Sequence, residues 1–300
     1  MFIKDIFLAI SVMLIWGLNF VVIKIGLNHM SPFFLAGLRF ALVVFPAVFF
    51  IPMPRAPLKW LIIYGVTISF GQFALLFLAV QLGMSVGVAS LVIQSQAFFT
   101  MFLGVLLLSE KPGKSQMIGA LVACMGIACL AKDAVGGDFR VGNVSLLTLF
   151  LTLGAAACWA MGNIANKIIL RRWQVPTLSL VVWSAWVPII PFFVCSWMFE
   201  GDISMLTRVM EINTQTILSL IYLSFFATII GYGIWGGLLK RYETWRVAPF
   251  SLLVPVVGLT SASLILKEVL SATQMLGVAI VVIGLLINTF GGYLHISKKS

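Results

Sequence analysis

The sequence predicts an all-α polytopic membrane protein with ten transmembrane helices, arranged as two inverted five-helix repeats. Of its 300 residues, 61% are hydrophobic and only 9% are charged, and the mean hydropathy is +1.12. Such a chain lacks the polar residues for a water-facing surface of ordinary composition. The hydrophobic residues form ten stretches of about 20 residues, the length that spans a bilayer core about 30 Å thick. Sequence features of the first half also recur in the second.

The ten predicted spans are separated by charged residues or by breaks that contain proline or glycine. The first stretch is too long for the core of a signal peptide and lacks an A-x-A-like cleavage site, so it is predicted to be the first helix. Spans and connectors use nearly the whole chain and leave no room for a soluble catalytic or ATP-hydrolysing domain. The spans are predicted near residues 5–27, 32–52, 58–80, 85–109, 114–132, 143–170, 177–199, 213–239, 244–266 and 271–294.

The basic residues predict the orientation of the chain. The net charge of +10 is spread over short loops and forms no continuous patch, so nucleic acid is not an expected partner. With the N-terminus inside, the inner segments carry most of the lysines and arginines that lie outside the spans. The predicted outer loops carry Lys132, Arg140, Arg208 and Lys267. We therefore expect both termini in the cytoplasm.

A repeat relates the two halves of the chain. Trp16 precedes Lys24 by the same interval that separates Trp159 from Lys167. Later, EKPGKSQMIGALVACMG and KEVLSATQMLGVAIVVIG share five residues at an offset of 158. Two domains are therefore predicted, residues 1–135 and 140–296. Because each holds five spans, an odd number, the second enters the membrane from the opposite side, as in secondary transporters that bind their solute between inverted halves. The shared pairs are Glu110/Glu268, Gln116/Gln274, Met117/Met275, Gly119/Gly277 and Gly126/Gly284.

Four segments, WGLNFVVIKIGL, SPFFLAGLRF, ASLVIQSQAFFT and VAPFSLLVPVVG, resemble the EamA family of the drug/metabolite transporter superfamily. The resemblance runs the length of the chain and is closest to the bacterial members that export O-acetylserine and cysteine. It implies a ten-helix carrier of the bacterial inner membrane. It also implies that helices 1–4 and 6–9 enclose a central cavity while helices 5 and 10 lie outside it.

When residues within two positions of a span end are counted with the loops, three cationic residues remain inside the predicted spans: Lys24, Arg39 and Lys167. A charge at the bilayer centre costs roughly 2.5 to 3.5 kcal/mol on insertion scales, so each needs a partner. Lys24 either snorkels to the outer surface or faces a cavity, and Arg39 either makes a structural hydrogen bond at a helix break or binds substrate. All the acidic residues lie in loops or at the ends of the predicted spans. We therefore expect the partner charge to come from substrate, lipid or solvent, which favours a solute with a carboxylate.

Amide and aromatic side chains complete the predicted site, because amides beside tryptophans suit a small zwitterion. The alternatives are that the amides pin neighbouring helices and that the tryptophans fill the core. No catalytic residue, metal or cofactor is predicted, and Cys124, Cys129, Cys158 and Cys195 lack metal-ligand spacing. The predicted substrate-binding residues are Trp16, Asn19, Lys24, Arg39, Gln72, Gln94, Gln96, Trp159, Asn163, Lys167, Tyr232 and Trp235.

The function that follows is secondary export of small amino-acid-like metabolites, such as cysteine or O-acetylserine, by alternating access. Alternatives are a broader drug/metabolite or aromatic amino acid exporter and a passive facilitator. An enzyme is disfavoured because no predicted span holds a cluster of His, Asp, Glu or Cys. The glycines seven residues apart in helices 5 and 10 predict close packing, and packing within a monomer is favoured over a homodimer interface.

Overall fold

The computed structural model describes residues 1–136, 145–201, 212–242 and 247–296. All regular secondary structure within these ranges is helical. Eight helices are long and apolar enough to cross a membrane, judged by length and composition, and two further apolar helices are shorter. The ten are α1 (Ile3–Leu27), α2 (Pro32–Phe49), α3 (Leu58–Gln81), α4 (Val86–Leu108), α5 (Lys114–Gly136), α6 (Leu146–Trp173), α7 (Thr177–Phe199), α8 (214–241), α9 (248–266) and α10 (Ala272–Ile296).

Each predicted stretch overlaps one of these helices, and the ends differ by a few residues. A long apolar run forms a helix because it can satisfy its backbone hydrogen bonds only within itself when no water is present. The shorter apolar stretches among them belong to α5 and α9. Some predicted features lie outside the described residues: the span edges at 143 and 244, the domain boundary at 140, and the charges of Arg140 and Arg208.

Irregular turns occur at corresponding places in the two halves. Helix α3 contains a π-helical segment, Gly65–Gly71, and α8 contains another, Tyr222–Ile230. A 3₁₀ turn interrupts α4 at Ile93–Ser95, and a second opens α9 at Ala248–Leu252. Such departures from the α-helical pattern free backbone groups and are common at functional sites.

The ends of α4 and α9 also match. Ser109 and Lys267 are both left-handed, with φ of 53° and 56°. In each case the amide of the next residue, Glu110 or Glu268, donates to a carbonyl six residues earlier, at 3.1 and 3.2 Å. These are the glutamates that recur at an offset of 158 residues, so the sequence repeat coincides with the same backbone turn in both halves.

Helices α5 and α10 pack on each other through their glycines. A methyl group at Gly119 would lie 2.6 Å from the carbonyl oxygen of Gly284, and one at Gly126 would lie 2.8 Å from that of Gly277. The two backbones therefore touch, which only glycine permits. These glycine faces are occupied within the chain.

At one end of the bundle, Glu268 caps the N-terminus of α4. Its carboxylate accepts hydrogen bonds from Ser85 Oγ at 2.8 Å, from Val86 N at 2.9 Å and from Gly87 N at 3.1 Å. A carboxylate at this position satisfies free amides and interacts favourably with the helix dipole. The contact joins the second half of the chain to the first.

A second carboxylate from the second half makes a similar contact. Glu200, which follows α7, accepts hydrogen bonds from the amides of Phe33 at 2.6 Å and Phe34 at 3.3 Å, in the first turn of α2. Two helix N-termini of the first half are thus held by glutamates of the second.

Candidate functional site

A cavity of about 900 Å³ lies between the two halves. Its described lining residues come from α1–α4, from α6–α9 and from the connector between α6 and α7, and none lies on α5 or α10. This is the arrangement that the family resemblance implied. Ten of the twelve predicted site residues line it: Trp16, Asn19, Arg39, Gln72, Gln94, Gln96, Trp159, Asn163, Tyr232 and Trp235.

Arg39 is the charged side chain in this lining, and it is only 2% exposed. Its Nη2 donates to Thr228 Oγ1 at 3.1 Å, and its guanidinium carbon lies 4.1 Å from the centroid of the Phe73 ring. Nε and Nη1 have no protein hydrogen-bond partner among the described residues. A buried guanidinium is therefore held in place by one nitrogen and leaves the other two nitrogens without a hydrogen-bond acceptor in the described part of the chain.

The π-helical segment of α8 provides the anchor for Arg39. Thr228 Oγ1, which accepts from the guanidinium, donates in turn to the carbonyl of Leu223 at 2.8 Å. Ser224 Oγ donates to the backbone carbonyl of Arg39 at 2.9 Å. A structural role for Arg39 and a substrate contact are thus compatible, since they use different nitrogens.

Trp16 forms an aromatic wall with two residues of α8. Its ring centroid lies 5.2 Å from that of Tyr232 and 5.6 Å from that of Trp235. Trp16 Nε1 donates to the carbonyl of Ala227 at 2.9 Å, so its one polar atom is satisfied. A methyl group at Gly231 would lie 2.6 Å from that nitrogen, which explains the glycine at this position.

Some of the predicted amides connect helices. Gln94 Nε2 donates to the carbonyl of Ser251 at 3.2 Å and joins α4 to α9. Asn163 Nδ2 donates to Gln96 Oε1 at 2.6 Å and to Thr100 Oγ1 at 3.2 Å, which joins α6 to α4. These residues line the cavity and pin helices at once.

Other cavity amides have acceptor atoms without a partner. Asn19 Oδ1, Gln72 Oε1 and Asn166 Oδ1 are buried and receive no hydrogen bond from the described part of the protein. Asn19 and Gln72 are 8% and 4% exposed. An unsatisfied buried acceptor costs about 1 to 3 kcal/mol, so these oxygens favour a donor brought in by a bound solute.

The two predicted lysines lie outside the cavity lining. Lys24 is half-buried, and its Nζ donates to the carbonyl of Val80 at 3.4 Å, a contact near the end of α3 that fits the snorkelling interpretation. Lys167 Nζ lies 2.5 Å from Glu110 Oε1. The expectation that its partner charge would come from outside the protein is therefore wrong. The turn after α4 brings Glu110 against α6, which sequence spacing does not reveal.

The structure adds cavity residues that the sequence did not single out. Asn166 follows Asn163 by three positions, the spacing of one helix face, so periodicity could have found it. Tyr64 and Ser251 carry no such signal. The connector residues 174–176 also line the cavity, which therefore reaches the end of the bundle near Arg171 and Arg172.

Comparison with known proteins gives consistent matches. A sequence model described as the EamA-like transporter family matches residues 3–132 and residues 146–290. Two relatives called "probable amino-acid metabolite efflux pump", from Escherichia coli (strain K12) and Salmonella typhimurium (strain LT2), are 54% and 53% identical over 96% of this chain and 95% of their own. An uncharacterized transporter of Archaeoglobus fulgidus is 28% identical over 95% of this chain and 98% of its own.

A solved structure, titled only "Crystal structure of protein", has a similar fold. Its TM-score is 0.66 with 18% identity, and the match covers 99% of both chains. At this identity the likeness concerns the fold alone.

Proposed function

The chain belongs to the EamA-like transporter family, and from that premise we propose that it exports small amino-acid-like metabolites by secondary transport. Family and relatives make it a multi-pass membrane transporter rather than an enzyme. The proposed location is the bacterial inner membrane, with both termini in the cytoplasm. The proposed solutes are cysteine, O-acetylserine and related compounds, and the name of the 54% identical relative supports this class.

One observation carries the proposal. The cavity lining contains a buried arginine with two donor atoms that lack a partner, and the described lining holds no aspartate or glutamate. An uncompensated guanidinium in a membrane protein favours an anionic group such as a carboxylate. A solute that is only cationic would find no carboxylate partner among the described lining residues.

The proposed architecture is a pair of inverted repeats, residues 1–135 and 140–296, that rock around the midplane cavity. The two matches to the family model, one in each half, support it. The π-helical segments in α3 and α8 and the left-handed ends of α4 and α9 also support it, because they recur at equivalent positions.

Alternating access fits the distribution of contacts between the halves. The cavity reaches the end of the bundle that carries Arg171, while Glu200 and Glu268 hold helix N-termini at α2 and α4. We take this conformation as open to the cytoplasm and closed outside. The outward-open state would then require these two carboxylate caps to separate.

We propose that the carrier works as a monomer surrounded by membrane lipid. Its partner is a small zwitterionic or carboxylate-bearing metabolite. The packing of α5 against α10 inside the chain supports the monomer, because the glycine faces that might join two copies are already covered.

Counterflow in liposomes tests the function. Purified protein would be reconstituted with excess unlabelled solute inside, and uptake of labelled cysteine, O-acetylserine, threonine, homoserine and aromatic amino acids would be measured against protein-free liposomes. Saturable, trans-stimulated uptake is expected for at least one of them. Linear uptake without trans-stimulation would instead support a passive facilitator, and conversion of the solute into a new compound would support an enzyme.

A further inference from the structure

We propose that the cavity binds an α-amino acid at two points, its carboxylate at Arg39 and its free α-ammonium group at the amide oxygens of Asn19 and Gln72. This inference rests on the proposed function and narrows its substrate class. The recognised unit is the free amino group together with the carboxylate on the same carbon, so N-acylated amino acids and amines without a carboxylate are excluded.

The two amide oxygens have the chemistry that an ammonium group requires. An ammonium carries three donors and no acceptor, whereas an amide oxygen only accepts. Asn19 and Gln72 are more than nine-tenths buried and line the cavity, and their oxygens Oδ1 and Oε1 have no donor among the described residues. A ligand donor would remove the cost of burying them unsatisfied.

Gln72 lies beside the carboxylate-binding group. The next residue in the chain, Phe73, places its ring 4.1 Å from the guanidinium carbon of Arg39, and both side chains line the same cavity. Gln72 therefore directly precedes, on α3, the residue whose ring packs against the arginine.

The helix that carries Asn19 is connected to the surroundings of Arg39 through hydrogen bonds to α8. Trp16, one helical turn before Asn19, donates to the carbonyl of Ala227, and the next residue, Thr228, accepts from Arg39. Residues one turn apart share a helix face, so Asn19 and Trp16 present their side chains to the same region of the cavity. Asn19, Gln72 and Arg39 thus line one cavity and are linked through α8 and Phe73, and for this reason we assign them to one solute.

The charge balance of the cavity selects the zwitterion. A solute carboxylate compensates Arg39, and its ammonium then needs only dipolar acceptors. An amine without a carboxylate would place a second positive charge beside Arg39, with no acid in the described lining to offset it. An N-acyl amino acid keeps the carboxylate but loses the charged donors, which leaves the amide oxygens less well satisfied.

Competition in counterflow tests this with three related solutes. Labelled cysteine would be the probe, and cysteine, N-acetylcysteine and cysteamine the competitors. N-acetylcysteine lacks only the free ammonium, and cysteamine lacks only the carboxylate. We expect both to compete at least about tenfold more weakly than cysteine, since each loses one charged contact.

Two near-isosteric variants, Asn19→Leu and Gln72→Met, separate binding from folding. Each should weaken competition by cysteine at least about tenfold while changing that of N-acetylcysteine by less than about threefold. A purely structural effect would weaken both alike. Gln274→Met is the matched control, because Gln274 is a buried amide on α10, away from the cavity, and should leave the discrimination unchanged.

The outcomes separate this inference from the proposed function. If N-acetylcysteine competes as well as cysteine while cysteamine does not, the ammonium subsite is wrong and carboxylate recognition stands. Equal weakening of both competitors in the two variants would also overturn it. If neither cysteine nor any other amino acid of the counterflow panel is transported, the proposed function fails, and this inference fails with it.

Discussion

Glu110, at the end of α4, forms an ion pair with Lys167 of α6, with 2.5 Å between the carboxylate and the ammonium nitrogen. Arg171 lies 3.7 Å from the same oxygen. The pair neutralises a cation that lies within the apolar run of α6. Arg39 differs, because it lines the cavity and its side chain donates to a hydroxyl group, that of Thr228, instead of pairing with a carboxylate. The positive charge available to a solute therefore resides at Arg39.

Replacing Arg39 should weaken solute binding. For Arg39→Gln we expect a loss of about 1.5 to 3 kcal/mol, the contribution of a hydrogen bond to a charged group. Lys24→Gln is the matched control and should bind the solute almost unchanged, because Lys24 lies outside the cavity and contacts the carbonyl of Val80. Titration of counterflow inhibition measures both. Equal affinities for Arg39→Gln and the unmodified protein would contradict the site.

Breaking the Glu110–Lys167 pair should affect stability slightly and binding not at all. Both side chains are 37% exposed, so solvent screening limits the contribution to about 1 kcal/mol or less. Thermal unfolding in detergent would show a small decrease for Lys167→Gln. The double exchange Glu110→Lys/Lys167→Glu should recover part of it. A large fall in solute affinity for Lys167→Gln would contradict this expectation and would show that Lys167 contributes to solute binding.

Removing the charge of Glu268 should open the end of the bundle that it closes. Glu268→Gln weakens three hydrogen bonds to the start of α4, so Met84, which is 1% exposed beside that start, should become accessible. In a variant without native cysteines, we expect Met84→Cys to react about tenfold faster with an impermeant maleimide when Glu268→Gln is present.

The adjacent charge provides the control for that experiment. Lys267→Gln removes a charge one residue away without touching the cap and should leave the labelling rate unchanged. An unchanged rate in Glu268→Gln would refute the role of this cap in closing the outer side.

Adding a methyl group between α5 and α10 should destabilise the protein. Gly119→Ala places a carbon 2.6 Å from the carbonyl oxygen of Gly284, so the backbones must separate, at a cost of about 1 to 3 kcal/mol. At Gly113, in the connector before α5, the nearest atom would be 3.9 Å away, so Gly113→Ala is the tolerated control. Thermal unfolding compares them, and equal stabilities would contradict the packing described.

The helix register predicted much of the site because it is a local property. Trp16 and Asn19 on α1, and Trp159 and Asn163 on α6, follow the spacing of one helix face, and the structure places all four in the cavity. The same register predicted Lys24 and Lys167, which lie outside it. Periodicity identifies a face of a helix, but the depth at which a face leaves the cavity depends on the neighbouring helices.

Sequence alone was enough to predict the helical class, the positions of the apolar segments and the glycines of α5 and α10 that permit close packing, because hydrophobic length and small-residue spacing act within one segment. The packing of α5 against α10, and the pairing of charged side chains, became visible only in the folded chain. Glu110 reaches Lys167, and Glu268 reaches the start of α4, through contacts between residues 57 and more than 180 positions apart. Such pairings depend on how the helices pack around the cavity. The spacing of residues along the sequence does not reveal that packing.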